Sequence, residues 1–127
     1  MSETKQPKQY AGVWLDSQHA IVISTTPDNN EFAIRDKVSA RVYHGGKGEH
    51  AMNNADNANT SKYLQSVAHL LKKYDEILVF GPGKSQEQLV NVLNEDAQFA
   101  GKQITIDTAK GLTDPQMIAK VRDFFQS

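Results

Sequence analysis

The hydrophobic pattern of the first half of the chain indicates strands. Tyr10–Asp16 and Ala20–Thr26 are short apolar or β-branched runs, and a Pro-Asp-Asn-Asn turn signal follows the second. Between Glu31 and Tyr43 apolar residues alternate loosely on even positions, which predicts a half-buried strand with a break near Asp36-Lys37. Because the connections are short, the three strands are expected to form an antiparallel meander.

The second half alternates between helix and strand patterns. Ser61–Tyr74 has its apolar residues on one helical face, with Thr60 or Ser61 as the expected N-cap and Gln65 and His69 at its potential inward polar positions. Strands are predicted at Glu76–Gly81 and Gln103–Thr108. Two later helices begin with capping-box spacing, at Ser85–Gln88 and Thr113–Gln116. The last is expected to bury Met117, Ile118, Val121 and Phe124 or Phe125.

The resulting order, β-β-β-α-β-α-β-α, predicts an α/β fold with a five-stranded mixed sheet flanked by helices. This is the ribonuclease H-like arrangement, in which the first, fourth and fifth strands are parallel. We expect residues 1–9 to be a disordered leader and residues 10–127 to form a single domain.

Composition narrows the range of functions. The sequence has no stretch of about 18 apolar residues, so a membrane-spanning role is not expected. It also lacks cysteine and an apolar signal core, which suits a cytoplasmic protein. A net charge of −1 argues against broad non-specific binding to nucleic acid, and DNA is not an expected partner. A local basic patch is still compatible with this charge.

A long loop is predicted at about residues 43–60, between the third strand and the first helix. It contains three glycines, two histidines and a lysine, followed by a tail rich in Asn and Ala. Loops longer than about 12–15 residues are uncommon in compact domains and are usually functional or disordered. From Arg35 to His50 the chain is modestly basic, with Arg35, Lys37, Arg41 and Lys47 against Asp36 and Glu49.

The sequence lacks residues that two catalytic functions would need: a two-metal nuclease and a P-loop enzyme that hydrolyses nucleotides. A two-metal nuclease needs several converging carboxylates, whereas Asp16 is the one candidate here and is better explained as a turn former. Gly81–Ser85 follows a strand and opens a helix, but it lacks the earlier glycine of a phosphate-binding P-loop. We interpret it as a strand-to-helix turn in which Lys84 and the helix N-terminus could hold one phosphate.

Metal and cofactor sites are also not expected. His44, Glu49 and His50 could be ligands, but a glycine-rich segment gives them no fixed geometry. We therefore predict no metal and no cofactor. His19 and His69 are expected to be surface or partly buried structural residues, and Trp14 is expected in the core.

Several sequence blocks resemble the middle domain of eukaryotic and archaeal class I peptide-chain release factors and of Pelota-type ribosome-rescue proteins. Their order and spacing resemble those of small bacterial stand-alone relatives of that domain. The blocks are Ala11–Asp16 with Ala20, His44–Lys47, Lys62–Ala68, Ile77–Lys84 and Gln88-Leu89, and the resemblance covers about Tyr10 to Ser127.

In the release factors, a Gly-Gly-Gln tip enters the ribosomal peptidyl transferase centre and promotes hydrolysis of peptidyl-tRNA. The resemblance places Gly45 and Gly46 at the two glycines and Lys47 at the glutamine, with His44 beside them. A charged ammonium cannot imitate a neutral amide that orients water, so binding is expected rather than hydrolysis. The resemblance does not extend to the release factors' codon-reading and partner-binding domains, so a complete release factor is not expected.

The resemblance implies a ribosome- or RNA-binding module that acts through its basic glycine-rich loop. The residues expected to contact RNA are Arg41, Lys47, Lys62 and Lys84. A peptidyl-tRNA hydrolase, with His44, Gly45, Gly46 or Lys47 assisting, is the alternative. A protein-interaction domain that has no link to the ribosome is the second alternative.

Overall fold

The computed structural model describes residues 9–25, 31–40 and 61–126. These residues form a five-stranded sheet of order β3-β2-β1-β4-β5. β1 is antiparallel to β2, and β2 is antiparallel to β3, whereas β1, β4 and β5 are parallel. The strands are β1 (Tyr10–Leu15), β2 (His19–Thr25), β3 (Phe32–Ser39), β4 (Glu76–Gly81) and β5 (Gln103–Thr108).

Helices cover both faces of the sheet. Within the described ranges they are α1 (residues 61–71), α2 (Ser85–Asn94) and α3 (Asp114–Gln126), and a short 3₁₀ turn covers Ala97–Phe99. The packing clusters place α1 and α2 on one face and α3 on the other. This topology confirms the ribonuclease H-like prediction.

The core consists of two clusters separated by the sheet. On the α1–α2 face, Val13 of β1 packs with Leu71 and Leu89 of the two helices, and all three side chains are fully buried. On the α3 face, Phe80 packs with Val121. Because successive side chains of a strand point to opposite faces, β1 and β4 contribute to both clusters. Their continuous apolar sequences are explained by this two-sided burial.

A bulge at Arg35 interrupts β3. Val22 pairs with Asp36, but the next residue of β2, Ile23, pairs with Ile34, so Arg35 is left without a register partner. Because of the extra residue, even-numbered side chains point to opposite faces of the sheet before and after the bulge. Ile34 packs on the α3 side and Val38 on the α1–α2 side. The even-numbered apolar residues therefore do not share one face, and the break lies one residue before the predicted Asp36-Lys37.

The two predicted capping boxes have different outcomes. The box at Thr113 is confirmed, because Gln116 N donates to Thr113 Oγ1 (3.3 Å) and Thr113 N donates to Gln116 Oε1 (2.9 Å). The box at Ser85 is wrong. Helix α2 begins at Ser85 itself, and its N-cap, Lys84, makes no side-chain capping bond.

The apolar pattern of the sequence predicted the buried faces of the helices better than it predicted which polar residues point inward. Phe125 packs against the α3 cluster, whereas Phe124 is 43% exposed. Gln65 and His69, which were predicted at potential inward positions of α1, are both exposed. The inward polar position is instead held by Tyr63, which is buried. The predicted N-cap Thr60 lies outside the described residues.

Candidate functional site

The candidate site lies at the edge of the sheet where the parallel strands end. In open α/β sheets this carboxyl edge is the usual place for ligands. β3 ends at the same edge, and Ala40 N, just beyond it, donates to Gln18 O (2.8 Å) in the β1–β2 turn. On the other flank of residues 41–60, the Tyr63 hydroxyl donates to Asp16 O (2.9 Å). Both flanks of the predicted loop are therefore hydrogen-bonded to the same short turn.

Asp16 organises this turn. Its Oδ1 accepts hydrogen bonds of 2.8 Å from the backbone N–H groups of Gln18 and His19. Asp16 N also donates to His19 O (2.9 Å). The prediction that Asp16 is a turn former is confirmed, because its Oδ1 accepts two backbone hydrogen bonds.

Tyr63 was not identified as a site residue from the sequence. Its ring is buried within the α1–α2 cluster, and its hydroxyl reaches the end of β1. Burial, and secondarily the negative charge of Asp16, raise the pKa of Tyr63 well above its ordinary value. The phenol is therefore a neutral hydrogen-bond donor that fixes α1 to the turn. A polar tip on an otherwise apolar helical face is the signal that could have identified it.

The turn between β4 and α2 is held by Gln86, which is 2% exposed. Its Nε2 donates to Gly81 O (2.8 Å) and to Asp107 O (3.4 Å), while its Oε1 accepts from Gly83 N (3.3 Å). One amide thus joins the ends of β4 and β5 to the intervening turn. The strand-to-helix turn predicted at Gly81–Ser85 is confirmed.

Asp107 lies near the end of β5 and is paired with α3. Lys120 Nζ donates to Asp107 Oδ2 (2.8 Å), and this bond, with a second from Thr108 N, lowers the pKa of the Asp107 carboxyl. The described ranges contain no group of three or more His, Asp or Glu residues arranged to hold a metal ion.

The predicted binding residues fall into two groups. Lys62, at the start of the described part of α1, and Lys84, before α2, are exposed and lie near the carboxyl edge. The other candidates lie outside the described residues: Arg41, His44, Gly45, Gly46, Lys47, Glu49 and His50.

The described surface also has shallow hollows at the opposite edge of the sheet. One of about 410 Å³ is lined by polar residues that include Asp75, Gln98 and Lys102. Lys102 Nζ is bonded there to Tyr74 O (2.6 Å), and Gln9 N is bonded to Asp75 Oδ2 (2.8 Å), so these groups serve the fold. None of the helices in the described ranges is long and apolar enough to cross a bilayer.

No protein-family model matches the sequence, and no curated protein sequence matches it. Solved structures do match its fold. Pelota from Archaeoglobus fulgidus superimposes with a TM-score of 0.62 at 11% identity over 93% of this chain, and Pelota from Thermoplasma acidophilum gives 0.59 at 16% over 94%. The archaeal translation termination factor aRF1 gives 0.55 at 13% identity over 94% of this chain.

These similarities confirm, at the level of fold, the resemblance to Pelota and release-factor domains. The chain corresponds to 32% of each Pelota chain and 35% of aRF1, so it matches about a third of each protein. The class defined by fold and topology is a ribonuclease H-like α/β domain of the kind found within these proteins.

Proposed function

We propose that this protein is a translation-associated module that binds the ribosome or its RNA through the basic glycine-rich segment at residues 41–60. The similarity in fold to Pelota and to a translation termination factor supports a role in translation. Binding through this segment, without catalysis, is the function that the residues support best.

The hydrogen bonding of the segment's two flanks is the observation that carries the proposal. Ala40 and Tyr63 are each bonded to the β1–β2 turn, at Gln18 O and Asp16 O respectively. The turn is itself fixed by the Asp16 carboxylate. The described residues on both sides of the segment are therefore anchored at one turn, and a rigid base reduces the ordering cost of binding.

The charges near that base suit a phosphate-rich partner. Lys62 follows the segment on α1, and Lys84 precedes α2 at the same edge, and both are exposed. Arg41 and Lys47 add two positive charges within the segment. Glycine backbone N–H groups can approach a phosphate closely because no Cβ intervenes.

Lys47 is the reason for proposing binding rather than hydrolysis. The resemblance aligns it with the glutamine of the release-factor Gly-Gly-Gln tip. An ammonium is a point charge with three donors and no acceptor, whereas a glutamine amide has both. Lys47 can therefore neutralise a phosphate, but it cannot accept a hydrogen bond from an attacking water molecule.

Co-sedimentation with purified ribosomes tests the proposal. The variant R41A/K47A should lose most of its binding, and the wild-type protein should bind more weakly as salt rises from about 50 to 200 mM. K37A/R122A is the matched control, because it also removes two positive charges, from exposed positions on the α3 side of the molecule. Equal sedimentation of the two variants would contradict the proposal.

A second assay addresses the hydrolase alternative. Wild-type protein should release no peptide above buffer from peptidyl-tRNA on purified ribosomes, at any protein concentration. Release that is lost in K47A would establish the hydrolase instead. Affinity purification from cells that recovers other proteins, but no ribosomal proteins, would favour the interaction domain.

A further inference from the structure

Helix α1 and the turn after it are basic. Between Ser61 and Tyr74 the chain has three lysines and a histidine and no acidic residue. Lys62, His69 and Lys73 are exposed, and Lys72 is half-buried. The ion pairs found within the described ranges do not involve these lysines. The exposed side of α1 therefore has positive charge that the described surface does not neutralise.

Helix α2 and the two residues after it have the opposite charge, although they cover the same face of the sheet and Lys84 immediately precedes them. From Ser85 to Asp96 the chain has three acidic residues, Glu87, Glu95 and Asp96, and no lysine or arginine. Both helices contribute to one core cluster. The helical layer on this face is therefore divided into a basic half and an acidic half, which a net charge of −1 conceals.

The exposed positive and polar residues of the basic half lie along α1 and the turn after it, and we call this surface the track. Lys62, Gln65, Ser66 and His69 are exposed on one side of α1, because residues three or four positions apart are neighbours on a helix, and the exposed Lys73 lies in the turn just after it. At a rise of about 1.5 Å per residue, Lys62 lies roughly 14 Å along the axis from the end of the helix at Leu71, and Lys73 follows two residues later. A hydroxyl, an amide and an imidazole lie between the two charges.

Helix stability explains part of this pattern. Lys72 and Lys73 follow the last turn of α1, where a positive charge is favoured by the partial negative charge of the carbonyl end. Lys62 lies at the other end of the described helix, where a positive charge is not favoured by the carbonyl groups. The carbonyl end of α1 therefore accounts for Lys72 and Lys73 but not for Lys62.

We propose that the exposed side of α1 and the turn after it, from Lys62 to Lys73, bind an RNA phosphate backbone that continues from the glycine-rich segment. The inference rests on the proposed function and adds a direction to it. RNA bound at the carboxyl edge extends along α1 toward the amino edge and is repelled from Glu95 and Asp96 at the far end of α2. Two cations with polar side chains between them suit phosphates and give no base specificity.

Binding of a fluorescent single-stranded RNA of about 16 nucleotides tests the track. Anisotropy is measured for the wild-type protein, K62Q/K73Q, R41A/K47A and the matched control K37Q/R122Q, between about 50 and 200 mM KCl. Each variant removes two positive charges. K62Q/K73Q should bind roughly three- to tenfold more weakly than the control, with a salt slope reduced by about 1.4, since each single-strand phosphate contact contributes about 0.7. Urea unfolding of the same samples confirms that the exposed substitutions leave the fold intact.

The outcomes separate this inference from the proposed function. Equal affinity and salt slope for K62Q/K73Q and the control would overturn the track, while a loss in R41A/K47A alone would leave the proposed function standing. A loss in K62Q/K73Q alone would support the track and contradict binding through the segment. Equally tight binding of polyglutamate would overturn the assignment to RNA, because an acidic peptide would then fit the track as well.

Discussion

The hydroxyl group of Tyr63 donates a 2.9 Å hydrogen bond to the backbone carbonyl oxygen of Asp16. The bond joins the first described turn of α1 to the end of β1, across 47 residues of chain. The Asp16 side chain at the same time accepts hydrogen bonds from the backbone N–H groups of Gln18 and His19. One residue therefore connects the helix, the strand end and the turn at the base of the proposed binding segment.

Tyr63→Phe should lower the free energy of unfolding by about 1–2 kcal/mol, because a part-buried carbonyl loses its donor. Urea denaturation measures the change. Tyr10→Phe removes the same atom from a tyrosine whose ring stacks on Phe125 with centroids 4.8 Å apart, and it should cost less than about 0.5 kcal/mol. Equal losses in the two variants would mean that the Tyr63 bond contributes little.

Stability should fall in alkaline solution, and Tyr63 should account for part of the fall. Its pKa in the folded state is raised above the ordinary value of 10.0 that applies after unfolding. The contribution is thus complete below about pH 10 and is lost as the pH rises toward the folded pKa, at up to about 1.4 kcal/mol per pH unit. The unfolding free energy of Tyr63→Phe should decline less steeply than that of the wild-type protein. Parallel declines would contradict the assignment.

Gln86→Glu should destabilise the protein by about 2 kcal/mol near neutral pH. The substitution removes the donor to Gly81 O and Asp107 O and places a carboxylate against two carbonyl oxygens. The loss should shrink near about pH 4, where a protonated carboxyl group can donate again. Gln88→Glu is the matched control, since Gln88 is exposed on the same helix. A loss that is independent of pH would contradict this account.

Glycine-to-alanine substitutions should rank Gly81, Gly12 and Gly83 in decreasing order of damage. A Cβ at Gly81 would collide with the backbone oxygen of Leu15, whereas one at Gly12 would meet the buried side chain of Val121. We expect at least about 2 kcal/mol at Gly81, about 1–3 kcal/mol at Gly12, and less than about 0.5 kcal/mol at Gly83, where the space is open.

A mutant cycle tests the contact between Gly12 and Val121. Val121→Ala opens the space that the new methyl group needs, so the double variant should lose less stability than the two single changes together. Additive losses, or a Gly81→Ala variant as stable as Gly83→Ala, would show that the close approaches are less restrictive than the structure indicates.

The sequence predicted elements well where one local signal determined the outcome. The bounds of β4 and β5 are those predicted, and the Thr113 box forms with both of its bonds. The Ser85 box has the same spacing but does not form, because α2 begins at Ser85 itself, while the next residue, Gln86, joins the ends of two strands. The bond from Gln86 to Asp107 O depends on the position of β5, and residue spacing around Ser85 gives no information about that position.

The features of the candidate site that were not predicted depend on contacts between residues far apart in the sequence. Tyr63 was read as one residue of an amphipathic helix, because its partner, Asp16, is 47 positions away. The bulge at Arg35 depends on the register with β2, so periodicity indicated a break but not the change of face that follows it. The exposure of Lys62 and Lys84 was easier to predict, since exposed lysines need no partner within the chain.

Asp16→Ala should lower the free energy of unfolding by about 1–2 kcal/mol, whereas Asp16→Asn should cost less than about 1 kcal/mol. The asparagine Oδ1 can accept the same bonds from Gln18 N and His19 N, but alanine leaves both donors without this partner. Asp96 is a useful comparison, because its Oδ1 accepts one backbone bond, from Gln98 N (2.9 Å), so Asp96→Ala should cost less than Asp16→Ala. Urea midpoints measured at pH 7 order the three variants. If Asp16→Asn were as damaging as Asp16→Ala, the charge of Asp16 would matter more than its geometry, and its assignment as a turn former would have to be replaced by an electrostatic one.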